Sequence, residues 1–221
     1  MISIYELKLK YIFQKAYNVD PGYFRDYLFF NTGRSALYFL LKNILVDPKR
    51  TTVYVNAYTT DIVHTTIKRL GVNIIPLDID PLTLMPVNKE YKFDKHSIFI
   101  HTGLFGFPCF NSQIYNEVKN AGGVFIEDAC NSFGTMVNGR EAGSVGDASI
   151  FSFRIGKAFS SSGGALKINN SDYFGLTKLY EDIKQPSRIS SIKSLYRCYL
   201  DYLLFEPRVL MYISRPMRKL Q

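Results

Sequence analysis

Two charged side chains follow apolar runs in the middle of the chain. Residues 124–128 (VFIED) are β-branched and aromatic up to the acid pair that ends in Asp128. A second apolar run, residues 148–153, is followed by Lys157 and then by a turn rich in serine and glycine. Short runs of this kind are typical of buried strands, so we expect Asp128 at the C-terminal edge of a strand. Lys157 is expected in the loop that joins two strands.

An acid and a lysine at neighbouring strand ends allow two interpretations. The first is a structural ion pair, which the spacing alone does not exclude. The second is a pyridoxal phosphate site, because that cofactor needs a lysine for a Schiff base, an acid that keeps its pyridine nitrogen protonated, and an anchor for its phosphate. Lys157 and Asp128 are the residue types that would fill the first two roles.

The phosphate anchor is sought where residues 32–35 (TGRS) begin an apolar helix. The N–H groups and the dipole at a helix start favour a bound anion, and Gly33 allows close approach of the backbone. An ordinary N-cap by Thr32 is the alternative interpretation of the same residues.

Seven short segments stand out between about residues 28 and 170. They are TGRSAL at 32–37, VNAYT at 55–59, HTGLFGFP at 101–108, IEDACN at 126–131, GSVGD at 143–147, FSFRIGK at 151–157 and GGA at 163–165. In order and at similar spacing, these segments resemble the DegT/DnrJ/StrS family of sugar aminotransferases. Seven matches in register are much more specific than any one of them.

The resemblance implies a fold type I pyridoxal phosphate enzyme and assigns roles to particular residues. Lys157 would carry the cofactor and Asp128 would hold its ring nitrogen, and these two are the predicted catalytic residues. The other predicted cofactor contacts are Gly33, Arg34 and Ser35 at the phosphate, Ser152 at the phosphate, Tyr58 at the ring face and Asn131 at the ring edge. No metal site is predicted.

The sequence departs from the family pattern at four places. Arg34 stands where a threonine is usual, and Asn131 stands where a histidine or glutamine is usual. Thr60 occupies the place of an aromatic residue that stacks on the cofactor ring, so Tyr58 is expected either to take over the stacking or simply to pack. The glutamate of the loop after the lysine is replaced within residues 161–162 (SS).

The pattern of apolar runs and helical segments predicts a three-layer α/β/α domain with a mostly parallel sheet. Strands are expected at 52–56, 72–77, 97–101, 124–128, 148–153 and 165–168, with helices at 36–45, 61–70, 112–120 and 172–183. Asn138-Gly139 predicts a turn within a hairpin. His101 is expected to be a hydrogen-bonded histidine at a strand end, without a role in proton transfer.

Composition restricts the class of protein. The 47% apolar and 21% charged residues are typical of a folded globular chain, which excludes disorder. Three cysteines without paired spacing and three scattered histidines favour a reducing cytoplasm and no metal cluster. No signal peptide and no membrane-spanning run are predicted.

The sequence predicts two parts, a pyridoxal-phosphate-binding domain at 1–170 and a helical, basic and aromatic segment at 171–221. The net charge of +8 is concentrated at the end, where residues 187–221 hold seven basic and two acidic residues. Packing within the protein or in a dimer is expected for this segment. Membrane contact and nucleic-acid binding are not predicted, because the basic residues follow no recognisable motif.

The function that the resemblance implies is transamination from an amino acid such as glutamate to a nucleotide-linked keto-sugar. Such a reaction would serve the synthesis of a polysaccharide or glycoside, with a homodimer as the active form. The rival hypothesis is a non-catalytic or truncated relative that keeps the fold and acts as a partner subunit or has no activity alone.

Overall fold

The computed structural model describes residues 23–87, 91–108, 110–137, 139–154, 157 and 163–183, and six further residues between 189 and 200. The predicted basic and aromatic tail therefore lies mostly outside the described residues, as do residues 161–162. The predicted division of the chain at residue 170 stays a prediction.

A seven-stranded sheet forms the centre of the described chain, in the order β1-β9-β8-β5-β4-β2-β3. Strands β8, β5, β4, β2 and β3 are parallel, and β9 and β1 are antiparallel to their neighbours. A separate hairpin pairs β6 with β7. The strands are β1 (Tyr27–Phe30), β2 (Thr52–Asn56), β3 (Asn73–Leu77), β4 (Ser97–Thr102), β5 (Val124–Asp128), β6 (Met136–Val137), β7 (Arg140–Glu141), β8 (Ala148–Ser152) and β9 (Gly164–Ile168).

Helices cover both faces of the sheet, which confirms the predicted three-layer arrangement. They are α1 (Gly33–Ile44), α2 (Asp61–Lys68), α3 (Ser112–Asn120) and α4 (Gly175–Glu181). The apolar sides of α1, α2 and α4 bury Leu40, Ile67 and Leu176 in one core cluster with the aliphatic residues of the sheet. On the other face, Ile114 of α3 packs in a cluster with the aromatic residues of β4 and β5, including Phe99.

The parallel strands direct their C-terminal ends to one edge of the sheet. Thr102, the last residue of β4, lies beside Asp128, the last residue of β5. Asp128 in turn lies beside Ile150, and β8 continues from there to Ser152. In parallel α/β sheets this edge is where ligands bind, so the fold brings several of the predicted site residues to the expected place.

Two glycines allow α1 to begin directly against the sheet. A Cβ on Gly164 of β9 would lie 2.2 Å from the nitrogen of Gly33 and 2.5 Å from the carbonyl carbon of Thr32. A Cβ on Gly33 would lie 3.0 Å from the carbonyl oxygen of Phe151 and 3.2 Å from Cβ of Ser152. No side chain fits between these backbones, so the close approach of the helix start to β8 and β9 depends on both glycines.

We expect Gly164→Ala to destabilise the fold by about 1–3 kcal/mol, because its Cβ overlaps backbone that cannot move aside. Chemical denaturation measures the change in the free energy of unfolding. The control is Gly175→Ala at the start of α4, where an added Cβ meets no atom within 4 Å. That substitution is expected to be neutral or to stabilise by up to roughly 1 kcal/mol. Equal effects of the two substitutions would contradict the packing explanation.

Candidate active site

A cavity of about 560 Å³ opens at the C-terminal edge of the sheet. Its lining combines hydroxyl groups, one amide, one amine and two aromatic rings. The lining residues are Tyr58, Thr59, Thr60, Thr102, Leu104, Phe105, Gly106, Asn131 and Lys157. Three of the residues predicted from the sequence, Tyr58, Asn131 and Lys157, therefore share one cavity.

Lys157 and Asn131 are in direct contact. Lys157 Nζ donates a hydrogen bond to Asn131 Oδ1, and the backbone N–H of Lys157 donates to the carbonyl oxygen of Arg154 at 3.1 Å. The amide oxygen of Asn131 therefore holds the Lys157 amine in place, and the predicted contact of Asn131 with a cofactor ring stays a prediction.

Asp128 is buried at the end of β5, beside the cavity. Burial raises the pKa of its carboxyl group, whereas hydrogen bonding from Cys130 and the positive charge of Lys157 act in the opposite direction. The backbone N–H of Cys130 donates to Asp128 Oδ1 at 3.1 Å. A buried carboxylate is costly without a cationic or hydrogen-bonding partner, so this group is suited to hold a protonated ring nitrogen.

The start of α1 provides the candidate anion site. Thr32 Oγ1 accepts a hydrogen bond from the N–H of Ser35 at 3.0 Å, so the alternative interpretation of these residues, an N-cap by Thr32, is observed. The N–H groups of the first turn, at Gly33 and Arg34, precede the first intrahelical donor and are the kind of group that binds phosphate. Ser152 lies next to Gly33 at the end of β8. The cap and a phosphate site are compatible here, because the cap uses only one of the N–H groups.

The predicted residues thus fall into two neighbouring groups. Lys157, Asn131 and Tyr58 line the cavity, and Gly33 and Ser152 meet at the helix start. Cys130 connects the groups, since its backbone contacts Asp128 and its Sγ would lie 3.5 Å from a Cβ on Gly33. Burial raises the pKa of the Cys130 thiol, so the thiol is neutral. The side chain of Arg34 is exposed at the helix start.

Six cavity residues were not predicted as site residues from the sequence, namely Thr59, Thr60, Thr102, Leu104, Phe105 and Gly106. Thr59 Oγ1 and Thr102 Oγ1 are 2.8 Å apart and are hydrogen-bonded. Both lie next to predicted site residues, but hydroxyl residues at strand ends are too common to be singled out without a structure.

The loop between β7 and β8 is fixed by a second buried acid, Glu127. Its carboxylate accepts hydrogen bonds from the N–H groups of Gly143, Val145 and Gly146 at 3.0, 2.6 and 2.7 Å. Asp147 at the end of the loop is paired with Lys119 of α3 at 2.7 Å. These contacts hold the start of β8, and hence Ser152, against β5.

His101 lies on the face of the sheet that packs against α3. Its ring contacts Phe99 and Phe125, with centroid distances of 6.3 and 5.9 Å. Nε2 hydrogen-bonds to the carbonyl oxygen of Pro108, and Nδ1 has no hydrogen-bond partner among the described residues. Burial lowers the pKa of the ring. His101 thus anchors the segment that begins with Gly103, which agrees with the expected hydrogen-bonded histidine at a strand end.

Residues 25–182 match the DegT/DnrJ/EryC1/StrS aminotransferase family. The chain belongs to this family. The match extends over most of the chain and includes the cavity, Asp128 and the start of α1, so the family assignment and the geometry concern the same residues.

The individual relatives match a shorter part of the chain than the family as a whole does. GDP-perosamine synthase of Vibrio cholerae is 35% identical over 69 residues, which is 31% of this chain and 19% of the relative. GDP-perosamine synthase of Escherichia coli O157:H7 is 34% identical over 67 residues, 30% of this chain and 18% of the relative.

Solved structures of the family share the fold. A DegT/DnrJ/EryC1/StrS aminotransferase of Brucella abortus superposes with a TM-score of 0.64 at 18% identity, covering 88% of this chain and 58% of the other. Helicobacter pylori PseC, an aminotransferase involved in the biosynthesis of pseudoaminic acid, gives 0.61 at 18% identity, covering 83% and 50%. The chain spans about half the length of these relatives.

Two features are absent from the part of the chain that the structure describes. No described helix has the length and apolar content needed to cross a membrane. Among the same residues, no group of three or more His, Cys, Asp or Glu side chains converges in a way that could hold a metal ion.

The buried ring of His101 predicts a specific pH dependence of stability. Because the folded-state pKa is lowered, the unfolded chain takes up a proton that the folded chain resists, so stability is lost as the pH falls below about 6.5. Between the unfolded-state pKa and the lower folded-state pKa, the free energy of unfolding falls by up to about 1.4 kcal/mol for each pH unit. We expect His101→Gln, which retains a donor for Pro108 and does not titrate, to lose less stability than the wild type between pH 7 and pH 5. Urea unfolding at both pH values measures this, and equal losses would contradict it.

Proposed function

We propose that this protein is a pyridoxal-phosphate-dependent aminotransferase that moves an amino group from an amino acid, glutamate, to a nucleotide-linked keto-sugar. The observation that carries the proposal is the position of Lys157. Its amine is held by Asn131 in a cavity at the C-terminal edge of the sheet, next to the buried carboxyl group of Asp128. Membership in the aminotransferase family supports the reaction type.

The residues present fit the cofactor at each of its three polar parts. A lysine for covalent attachment lies in the cavity, and a buried acid in need of a cationic partner lies beside it. The first turn of α1 offers N–H groups beside Ser152, because Gly33 and Gly164 let the helix start lie directly against β8 and β9. A Streptococcus pneumoniae protein described as a sugar aminotransferase, Spr1654, shares the fold with a TM-score of 0.59 and was solved in its PLP form.

When bound, pyridoxal phosphate supplies an electron sink that stabilises negative charge at the α-carbon of the amino donor. In our proposal the protein provides binding, orientation and proton transfer. Lys157 Nζ would hold the cofactor and would move a proton at the α-carbon of the donor. The carboxylate of Asp128 would hold the proton on the ring nitrogen. Gly33, Arg34 and Ser35, with Ser152, would bind the phosphate.

Substrate, assembly and location belong to the same proposal. Two matched relatives are GDP-perosamine synthases, and PseC takes part in the biosynthesis of pseudoaminic acid. These names support a nucleotide-linked sugar as acceptor, in a pathway to polysaccharide or glycoside. We further propose a homodimer in the cytoplasm, as the family resemblance and the cysteine content suggest.

A non-catalytic relative is the second candidate, and Thr60 is the observation that favours it. This residue lines the cavity at the place where the family resemblance implies a ring that stacks on the cofactor. A protein that retains the fold without catalysing the reaction does not need an aromatic side chain at this position. The experiments below separate the two candidates.

Reduction with borohydride in the presence of pyridoxal phosphate is expected to fix the cofactor covalently on Lys157. Before reduction, the protein is expected to show a visible absorption band that responds to glutamate. After reduction, peptide mass mapping locates the adduct. Lys157→Ala is expected to lose both, whereas Lys95→Ala, which removes an exposed lysine far along the chain, keeps them. An adduct spread over surface lysines, with no band, would favour the non-catalytic candidate.

Asp128→Asn is expected to retain the covalent adduct but to slow the conversion of glutamate to 2-oxoglutarate by at least about a hundredfold. The amide cannot balance the charge of a protonated ring nitrogen. Stopped-flow absorbance in single-turnover conditions measures the rate, and no acceptor sugar is needed. Asp172→Asn changes an exposed acid and serves as the control. An unchanged rate in Asp128→Asn would remove this residue from the proposed mechanism.

A further inference from the structure

Phe105 occupies a backbone conformation that its residue type disfavours. Leu104 and Phe107 exchange two backbone hydrogen bonds, with N···O distances of 2.9 and 2.7 Å, so Phe105 and Gly106 form a two-residue turn. Their φ angles are +52° and +89°. Turns with positive φ at both central residues favour Asn, Asp or Gly at the first position. A phenylalanine there is strained, and strain of this kind is concentrated at functional sites.

Packing within the fold does not account for the phenylalanine. Its side chain is 67% exposed, and the described ring contact is with Tyr58, which is itself 58% exposed. The fold thus tolerates both a strained backbone and an exposed apolar ring at this turn.

The turn is held firmly on both sides. Thr135 Oγ1 donates a hydrogen bond to the carbonyl oxygen of Gly106 at 2.9 Å. His101, buried in the sheet, hydrogen-bonds to the carbonyl oxygen of Pro108. The Phe105 ring is therefore carried by a fixed loop and not by a free one.

Phe105 and Tyr58 line the same cavity as Lys157. Their ring centroids are 6.0 Å apart and their planes are inclined by 39°. This geometry leaves no parallel slot for a flat base between the rings, but it presents two inclined apolar faces. A saturated pyranose ring has apolar C–H faces and a rim of hydroxyl groups. The threonine hydroxyls in the same cavity, at Thr59 and Thr102, are suited to such a rim.

We infer that Phe105 is a specificity-determining residue that contacts the acceptor, with its ring packed against the apolar face of the pyranose ring of a nucleotide-linked sugar. This inference rests on the proposed function, because it places the sugar in the cavity that contains Lys157. Tyr58 contributes the second face.

The test uses Phe105→Asn, because asparagine tolerates positive φ and removes the ring. Calorimetric titration of the pyridoxal-phosphate-loaded protein measures the Kd of GDP-mannose, UDP-glucose and dTDP-glucose, and of the three nucleoside diphosphates without sugar. These sugars carry no keto group, so they report binding alone. For the nucleotide-sugar that binds, we expect Phe105→Asn to raise the Kd by about three- to tenfold. The Kd of the matching diphosphate is expected to stay unchanged.

Thermal unfolding separates a ligand contact from a structural role. Phe105→Asn is expected to raise Tm by roughly 1–3 °C, since the strain is relieved. Phe105→Tyr keeps the ring and is expected to keep the wild-type Kd. Phe107→Leu changes an exposed phenylalanine of the same loop that does not line the cavity, and it is expected to leave the Kd unchanged.

A single fluorophore gives an independent readout. The wild-type chain contains no tryptophan, so Phe105→Trp introduces one emitter at the proposed contact. Without cofactor, its emission is expected to shift on addition of the nucleotide-sugar and not of the diphosphate.

Three results would overturn the inference. The first is a Tm of Phe105→Asn several degrees below that of the wild type. The second is an equal loss of affinity for the diphosphate alone, which would indicate that Phe105 contacts the nucleotide base. The third is an unchanged Kd for the nucleotide-sugars. If the covalent adduct at Lys157 forms but Phe105→Asn has no effect, the inference fails and the proposed function stands. If no adduct forms at Lys157, both fail.

Discussion

The absence of side chains at Gly33 and Gly164 is the constraint on which the candidate site depends. A Cβ at either position would meet backbone atoms, at distances down to 2.2 Å for Gly164. Because neither glycine carries a Cβ, the first turn of α1 lies directly on the ends of β8 and β9, beside Ser152 and Cys130. The same contact brings the first turn of α1 near the carboxyl group of Asp128, which Cys130 contacts through its backbone. The position of the first turn of α1 therefore depends on the absence of a Cβ at both glycines.

Burial of charge is the second determinant. Asp128 ends a strand that is buried on both faces, so its carboxyl group is desolvated and its pKa is raised. Lys157 and the N–H of Cys130 offset part of this cost. Glu127, its neighbour, is also buried, but three backbone N–H groups satisfy its oxygens. One acid of the pair is thus bound to the loop at 143–146, and the other is directed to the edge where ligands bind.

Much of the fold could be predicted because its strands are short and continuously apolar. The strands at 52–56 and 124–128 and the helix at 112–120 have the predicted bounds, and the others differ by one to a few residues at their ends. The antiparallel placement of β1 was not predicted. Its residues (YLFF) are aromatic and apolar throughout, so the sequence shows no alternation of polar and apolar residues and does not indicate which strand pairs with it. Only the register with β9, from Tyr27↔Lys167 to Phe30↔Gly164, identifies the segment as an edge strand.

The candidate site was predictable to the extent that a residue's identity determines its place. An aspartate at the end of an apolar strand and a lysine in the loop after another are rare enough to be noticed. The structure places Lys157 in the cavity and Asp128 beside it. Phe105 shows the opposite case, since it is distinguished by a φ angle that its residue type disfavours. A sequence pattern predicts the conformations that residues prefer, so it fails where a residue is held in one that it does not prefer. Such a conformation is recognised only from the hydrogen bonds that enforce it, which here are those between Leu104 and Phe107.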